Sequence, residues 1–74
     1  MPKLPRLKSK QLIKALKQAG FRLDRISGSH YILYKDDFHP PVTVPCHNKD
    51  LKTGTLSGIL KQAKISVSEL IDLL

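Results

Sequence analysis

The chain has 74 residues, with 13 lysines and arginines against 6 aspartates and glutamates, for a net charge of +7. A chain of this length forms one small domain with a modest core, which excludes a large substrate-enclosing pocket. Nine of the basic residues but only one acid, Asp24, lie in residues 1–35, whereas residues 36–74 are close to neutral. This uneven distribution predicts a basic face that binds a polyanion such as nucleic acid, although a solvated lysine-rich surface has the same composition.

The single cysteine excludes an intrachain disulfide and fits a reducing cytoplasm, which is the expected location. No apolar run approaches membrane-spanning length, so no membrane partner is expected, and the N-terminus lacks the apolar core of a signal peptide. We expect one domain over residues 1–74, with residues 1–6 frayed because they are basic and interrupted by prolines.

The first predicted helix is SKQLIKALKQAG, residues 9–20, with Ser9 as N-cap and Gly20 as the C′ glycine that ends it. Its apolar face consists of Leu12, Ile13, Leu16 and Ala19. A separate lysine stripe at positions i, i+4 and i+7 consists of Lys10, Lys14 and Lys17. The stripe is either a solvated face or a phosphate-contacting edge, and its spacing leaves both open.

Three antiparallel strands are predicted next. FRLDRIS, residues 21–27, alternates apolar and charged side chains, as a half-buried strand does. A Gly28-Ser29 turn leads to HYILY, residues 30–34, in which His30, Ile32 and Tyr34 point one way and Tyr31 and Leu33 the other. The polar loop KDDFHPP then leads to a short strand VTV, residues 42–44, closed by Pro45.

Two further helices complete the chain. TLSGILKQA, residues 55–63, has Leu56, Ile59, Leu60 and Ala63 on its apolar face, with Thr53 or Thr55 as cap. Its first turn carries no carboxylate, so Lys52, Thr55 and the free amides are candidate supporting groups for an anion, although an ordinary capped helix fits equally. Ser66 and Glu69 have capping-box spacing before a short third helix whose apolar residues are Val67, Leu70, Ile71 and Leu74.

The element order α-β-β-β-α, followed by a short C-terminal helix, predicts an α+β fold. In this fold the helices pack on one face of a three-stranded antiparallel sheet. Double-stranded-RNA-binding domains have this order, but such a likeness concerns the fold and does not establish a function.

Three histidines, His30, His39 and His47, are the candidates for proton transfer because imidazole titrates near neutral pH. His30 is the candidate base for a 2′-hydroxyl in metal-free RNA cleavage, although a lone strand histidine is more often a surface or packed residue. Tyr31 or Tyr34 would stack a base or donate a proton. The residues expected to hold phosphate are Arg22, Arg25, Lys35 and the lysine stripe.

No metal or other cofactor is expected. Cys46, His47, His39 and Asp37 lie close in sequence but lack the paired spacing of zinc ligands. Cys46 fits better as a small packing residue. No nucleotide-binding glycine loop and no Ser-His-Asp arrangement is present in the sequence.

The segments GFRLDRISGSHYILY, VTVPCH and GTLSGILKQAKIS, in this order, resemble the HicA toxins of bacterial and archaeal toxin–antitoxin systems. The similarity runs from about Ser9 to Leu70. It implies a double-stranded-RNA-binding-like fold, ribosome-independent cleavage of mRNA, and a cognate antitoxin, HicB, that blocks the active site. By this resemblance His30 is the catalytic residue, Gly28 and Ser29 form the turn before it, and His47 is a second recurrent histidine with a structural role.

Two positions depart from the family pattern. Many relatives carry a glycine after the second helix, where this chain has Lys64. Either this lysine adopts the left-handed C′ conformation, at a cost of about 1 kcal/mol, or the helix ends differently. The loop KDDFHPP stands where a glycine-bearing hairpin is expected, and the charges of its Asp36 and Asp37 would alter the approach of an RNA substrate.

Three functions therefore remain in competition. The first is an endoribonuclease toxin, the second is a module that binds structured RNA without cutting it, and the third is a protein that only docks an acidic antitoxin-like partner. The Gly-Ser-His sequence favours the first, because neither alternative requires an imidazole at His30.

Overall fold

Over the residues that it describes, 4–38, 40–46 and 50–74, the computed structural model has the element order α1-β1-β2-β3-α2-α3. The elements are α1 (Ser9–Gln18), β1 (Arg22–Ser27), β2 (His30–Tyr34), β3 (Val42–Pro45), α2 (Thr53–Ala63) and α3 (Val67–Leu73). The strands form one antiparallel sheet in the order β1-β2-β3. This arrangement confirms the predicted α+β fold of the double-stranded-RNA-binding type.

The start of α1 differs from the prediction. Its N-cap is Lys8, whose backbone N–H donates to Gln11 Oε1 at 2.9 Å, and Ser9 lies inside the first turn. Ser9 is only 2% exposed, and its hydroxyl donates to the Pro45 carbonyl at 2.6 Å. The serine was misassigned because the same hydroxyl that can cap a helix here makes a tertiary hydrogen bond. That bond fastens the first turn of α1 to the end of β3.

Helices α1 and α2 end in the same backbone arrangement, a Schellman motif. Gly20 has φ +104° as the predicted C′ residue of α1, and Phe21 N–H donates to the carbonyl five residues back at 3.0 Å. Lys64 takes the equivalent place after α2 with φ +57°, and Ile65 N–H makes the same bond at 3.0 Å. Among the described residues, Lys64 is the one non-glycine residue with a positive φ. The strain expected at this departure from the family pattern is therefore present.

The middle strand β2 presents alternate residues to the two sides of the sheet. Leu33 is fully buried against the helices and Tyr31 is half-buried, whereas His30 and Tyr34 are exposed. Strand β1 was predicted to be half-buried, and this was wrong, because all six of its residues are exposed. Helix α2 packs over β3 at the opposite edge, so β1 overhangs the helix layer.

A β-bulge keeps two apolar residues of β1 on the helix-facing side. The register pairs Leu23 with Leu33 and Ile26 with Tyr31, and it shifts at Asp24. One extra residue reverses the alternation of side chains along a strand. Without the bulge, Leu23 and Ile26 would point to opposite faces.

Helices α2 and α3 confirm some of the predicted details and correct others. Helix α2 begins at Thr53 with Lys52 as N-cap and no capping side chain, so both predicted threonine caps were wrong. Ser66 caps α3 as predicted, since its hydroxyl accepts from Glu69 N–H at 3.1 Å. The exposed residues Ile71 and Leu74 were wrongly assigned to the apolar face, because α3 packs through Val67, Leu70 and Leu73 instead.

The core lies between the sheet and the helices. Leu51 N–H donates to the Leu7 carbonyl at 2.7 Å, which joins the segments preceding α2 and α1, and Leu4 packs against the same core. The buried apolar residues are Leu7, Leu12, Ala15, Leu16, Phe21, Leu33, Val42, Val44, Leu51, Leu56, Ile59, Leu60, Ala63 and Leu70. Within the described ranges, no helix has the length and apolar character needed to cross a membrane.

We expect Lys64→Gly to raise the free energy of unfolding by about 1 kcal/mol, because glycine adopts the left-handed conformation without the steric cost of a Cβ atom. For a domain of this size the melting temperature should rise by about 4–8 °C, measured by circular dichroism. Lys64→Ala is the matched control, since it removes the Nζ that lies 3.4 Å from the Phe38 carbonyl but keeps the Cβ atom. Equal melting temperatures for the two variants would contradict the prediction.

Candidate functional site

His30 is the first residue of the central strand, and its neighbours follow from the register. It lies opposite Ser27 of β1 and opposite Pro45 of β3. Directly paired residues point to the same side of a sheet, so all three lie on the side turned away from the helices. We call this side the open face, and its residues are Arg22, Arg25, Ser27, His30, Ile32, Tyr34, Thr43 and Pro45.

The turn before His30 requires its glycine. Gly28 has φ +59°, and Ser29 does not share the positive φ, which is the pattern of a type II′ hairpin turn. A Cβ atom placed on Gly28 would meet nothing within 4 Å, so backbone conformation and not crowding favours glycine there. The Ser29 carbonyl accepts a hydrogen bond from Cys46 N–H at 2.6 Å, which extends the pairing of the hairpin with the β3 side. His30 therefore lies at a strand end that is fixed by backbone hydrogen bonds, and the space beside it is open.

The two arginines of β1 lie at different distances from His30 along the open face. Arg25 pairs with Ile32 and is a diagonal neighbour of His30, with about 7–8 Å expected between their Cβ atoms. Its long side chain can therefore reach a phosphate held at His30. Arg22 pairs with Tyr34, which lies four residues along β2 from His30, or about 13 Å.

Tyr34 is engaged by the loop that follows β2. Its hydroxyl donates to Asp37 Oδ1 at 2.6 Å. This hydrogen bond, followed by partial desolvation and the negative charges of Asp37, Asp36 and Asp24, raises the pKa of Tyr34 above its ordinary value. The hydroxyl therefore stays protonated with its hydrogen donated to Asp37, while Tyr34 as a whole remains 38% exposed on the open face.

Tyr31 and the lysine stripe lie on the other side of the sheet. Tyr31, with Lys10, Lys14 and Lys17, lines a groove of about 290 Å³ between α1 and the sheet, which we call the lysine groove. The Tyr31 hydroxyl oxygen and Cys46 Sγ lie 3.5 Å apart and share a hydrogen bond. This hydrogen bond, the charge that Cys46 acquires on ionisation and partial desolvation raise the pKa of Tyr31.

A family model for the HicA toxin of bacterial toxin–antitoxin systems matches residues 9–65. The chain belongs to this family. The match begins at the first residue of α1 and ends just after Lys64, so it includes the whole sheet and both longer helices. The HicA resemblance predicted from the motifs is confirmed, and membership makes this chain the toxin component, with an antitoxin as its partner. A search of curated proteins finds no match to the chain.

The predicted phosphate-binding residues of this HicA protein do not converge on one place. Arg22 and Arg25 share the open face with His30, and the lysine stripe lies on the helix-facing side. Lys35 is half-buried, with its Nζ 5.7 Å from the centre of the Phe21 ring, so it supports the end of α1 and the start of β1. Lys52 and Thr55 are exposed at the start of α2. His47 lies outside the described residues, as does His39.

Two serines near the site were missed by sequence reasoning. The register places Ser27 directly opposite His30, and a two-residue turn at Gly28-Ser29 already implies that pairing. Nothing in the sequence indicated that Ser9 is buried, because the partner of its hydroxyl, the Pro45 carbonyl at the end of β3, is 36 residues away along the chain. Within the described ranges, no three His, Cys, Asp or Glu side chains are grouped as metal ligands would be.

We expect Ser9→Ala to lower the free energy of unfolding by about 1–2 kcal/mol, because it removes a part-buried hydrogen bond to the Pro45 carbonyl. Urea unfolding should show a lower midpoint with an unchanged slope. Ser68→Ala, on the exposed surface of α3, is the control and should differ little from the parent. A Ser9 variant as stable as the Ser68 variant would show that this bond contributes nothing.

Proposed function

We propose that this HicA toxin is an endoribonuclease that cleaves mRNA without a metal ion or other cofactor, with His30 as its catalytic residue. The observation that carries the proposal is the position of His30. It is an exposed imidazole at the end of the central strand, on a face that also bears Arg22 and Arg25. The turn at Gly28 leaves open space beside it for a phosphate backbone. Family membership supports a toxic activity.

The reaction uses a nucleophile that RNA itself supplies. His30 takes the proton of a 2′-hydroxyl, and the 2′-oxygen attacks the adjacent phosphorus. The bond from phosphorus to the 5′-oxygen breaks, and that oxygen accepts a proton from an acid. The products are a 2′,3′-cyclic phosphate and a 5′-hydroxyl, so a base, an acid and stabilisation of the charged intermediate are sufficient.

The structure argues against either tyrosine as the acid. Tyr31 points to the helix-facing side, away from His30, and its hydroxyl contacts Cys46. Tyr34 shares the open face, but it lies about 13 Å along the strand and its proton is committed to Asp37. In this proposal Tyr34 therefore contributes its exposed ring for stacking, and the proton of the leaving oxygen comes from another group.

Arg25 is the residue proposed to stabilise the pentacoordinate phosphorane. It is the diagonal neighbour of His30, and guanidinium groups bind phosphate oxygens through two parallel hydrogen bonds. Arg22, at the far end of the face, would hold a phosphate of the same strand away from the cleaved bond.

We expect Arg25→Gln to lower kcat by about 10²-fold, because it removes a charge that acts on the transition state. Arg22→Gln is the matched control, with the same change in the same strand, and it should raise KM and leave kcat nearly unchanged. Both constants come from initial rates on a labelled RNA. Equal effects on kcat would contradict the role assigned to Arg25.

The antitoxin partner is proposed to be a HicB-like protein that covers the open face. At the Tyr34 end of that face Arg22 lies near the carboxylates of Asp24, Asp36 and Asp37, and at the other end Arg25 places a positive charge beside the exposed His30. An acidic protein surface would complement this charge and exclude RNA from His30.

We expect the purified protein to cleave labelled mRNA in excess EDTA and His30→Ala to lose this cleavage, because no other group replaces the base. Thr43→Ala is the control, as an exposed open-face residue with no ionisable group, and it should cleave normally. Product ends are read by gel electrophoresis, and a HicB-like antitoxin should stop the reaction.

Cleavage by His30→Ala at the parent rate would contradict the assignment of His30 as the catalytic residue. If no variant cuts but all of them shift RNA at low salt, the protein is an RNA-binding module instead.

A further inference from the structure

The lysine groove is a second surface suited to RNA, separate from the open face. Six side chains line it, and three of them are lysines while none is a carboxylate. Its remaining lining is apolar or aromatic: Ile13 from α1, Leu23 from β1 and Tyr31 from β2. Leu23 is 39% exposed because β1 overhangs the helix layer.

The chemistry of the groove selects its occupant. An aromatic ring beside several cations is the combination with which proteins hold single-stranded nucleic acid, by base stacking and phosphate contacts. Lys10 and Lys17 lie seven residues apart, about 10 Å along α1. Their ammonium groups can therefore contact successive phosphates of a nucleic-acid strand, which a single small anion does not offer. The Cys46 contact at 3.5 Å restrains the Tyr31 ring at its hydroxyl end. The ring packs against the core on one side, and as a half-buried residue Tyr31 still contributes surface to the groove.

The groove and His30 are close along the chain but lie on opposite sides of the sheet. Tyr31 directly follows His30 in β2, so one RNA strand can reach both only by passing around an end of the sheet. The Gly28-Ser29 end is the nearest, and its small side chains and open space leave room for a backbone. The bond from Ser9 to Pro45 holds the Lys10 end of α1 near this same end of the sheet.

We infer that the lysine groove binds a nucleotide of the RNA substrate at a distance from the bond that His30 cleaves. The base stacks on Tyr31, the stripe lysines contact its phosphates, and the strand crosses the Gly28-Ser29 turn to the open face. The inference rests on the proposed function and extends it with a substrate-positioning subsite.

The test measures binding without cleavage, so that it does not depend on catalysis. The probe is a fluorescein-labelled, fully 2′-O-methylated RNA of about twelve nucleotides, which lacks the nucleophile and is followed by anisotropy. Lys14→Gln should weaken binding several-fold and reduce the slope of log affinity against log salt by about 1. Lys61→Gln, an exposed lysine near the end of α2, is the control for lost charge and should bind nearly as the parent does.

The tyrosine is tested with a matched pair. Tyr31→Leu should weaken binding by about tenfold, because it removes the stacking ring, whereas Tyr31→Phe keeps the ring and should stay close to the parent. Melting temperatures of both variants establish that the fold is retained. The parent, Tyr31→Phe and Lys14→Gln together keep the test informative if Tyr31→Leu does not fold.

Two outcomes would overturn the inference. In the first, Lys14→Gln loses no more affinity than Lys61→Gln, and the groove then does not bind RNA even if His30 cleaves it. In the second, a labelled polyglutamate peptide binds the parent and loses affinity in the Lys14 and Tyr31 variants, while the affinity for RNA is unchanged. The groove is then a protein-docking site. Failure of the proposed function would appear separately, as an absence of cleavage with RNA binding in the groove intact.

Discussion

The pairing of β2 with both of its neighbours is the constraint on which the rest of this structure depends. The short turn at Gly28-Ser29 sets the register with β1, and the pairing with β3 sets which residues flank His30. A slip of one residue would turn Leu33 out of the core and bring His30 into it. The hydrophobic core and the candidate active site are therefore maintained by the same hydrogen bonds, and neither can change register without the other.

A domain of this size has enough helix to cover only one side of its sheet, and that limit shapes both candidate surfaces. The uncovered side becomes the open face with His30 and two arginines. On the covered side, α2 lies over β3, so β1 extends past the helices and leaves the lysine groove beside α1. The three lysines of the stripe and the two arginines of β1 are thereby divided between two surfaces instead of forming one patch.

The two surfaces suggest how this member of the HicA family would act on its substrate. Under the proposed mechanism, His30 and Arg25 act on one phosphate, while Arg22 and the lysine groove hold the strand elsewhere. A long RNA is then a better substrate than a short one, because contacts away from the cleavage site help to position the phosphodiester bond at His30. An antitoxin that covers the open face would block cleavage without filling the groove.

Local rules of the chain determined much of this protein. The 3.6-residue period of α1, the alternation in HYILY, the C′ glycine at Gly20 and the turn at Gly28-Ser29 each depend on residues only a few positions apart, and the structure confirms them. The HicA motifs likewise lie within short segments, so the family and its candidate histidine were readable from the sequence.

Tertiary structure decided how those elements cover one another. The exposure of β1, the burial of Ser9 against Pro45 and the outward position of Leu74 each depend on a neighbour distant in sequence. The same holds for the separation of the lysine stripe from the arginines, since a helix and a strand can be placed on either side of a sheet with their own periodicity unchanged. Periodicity reports which residues share a face, and only packing determines what that face meets.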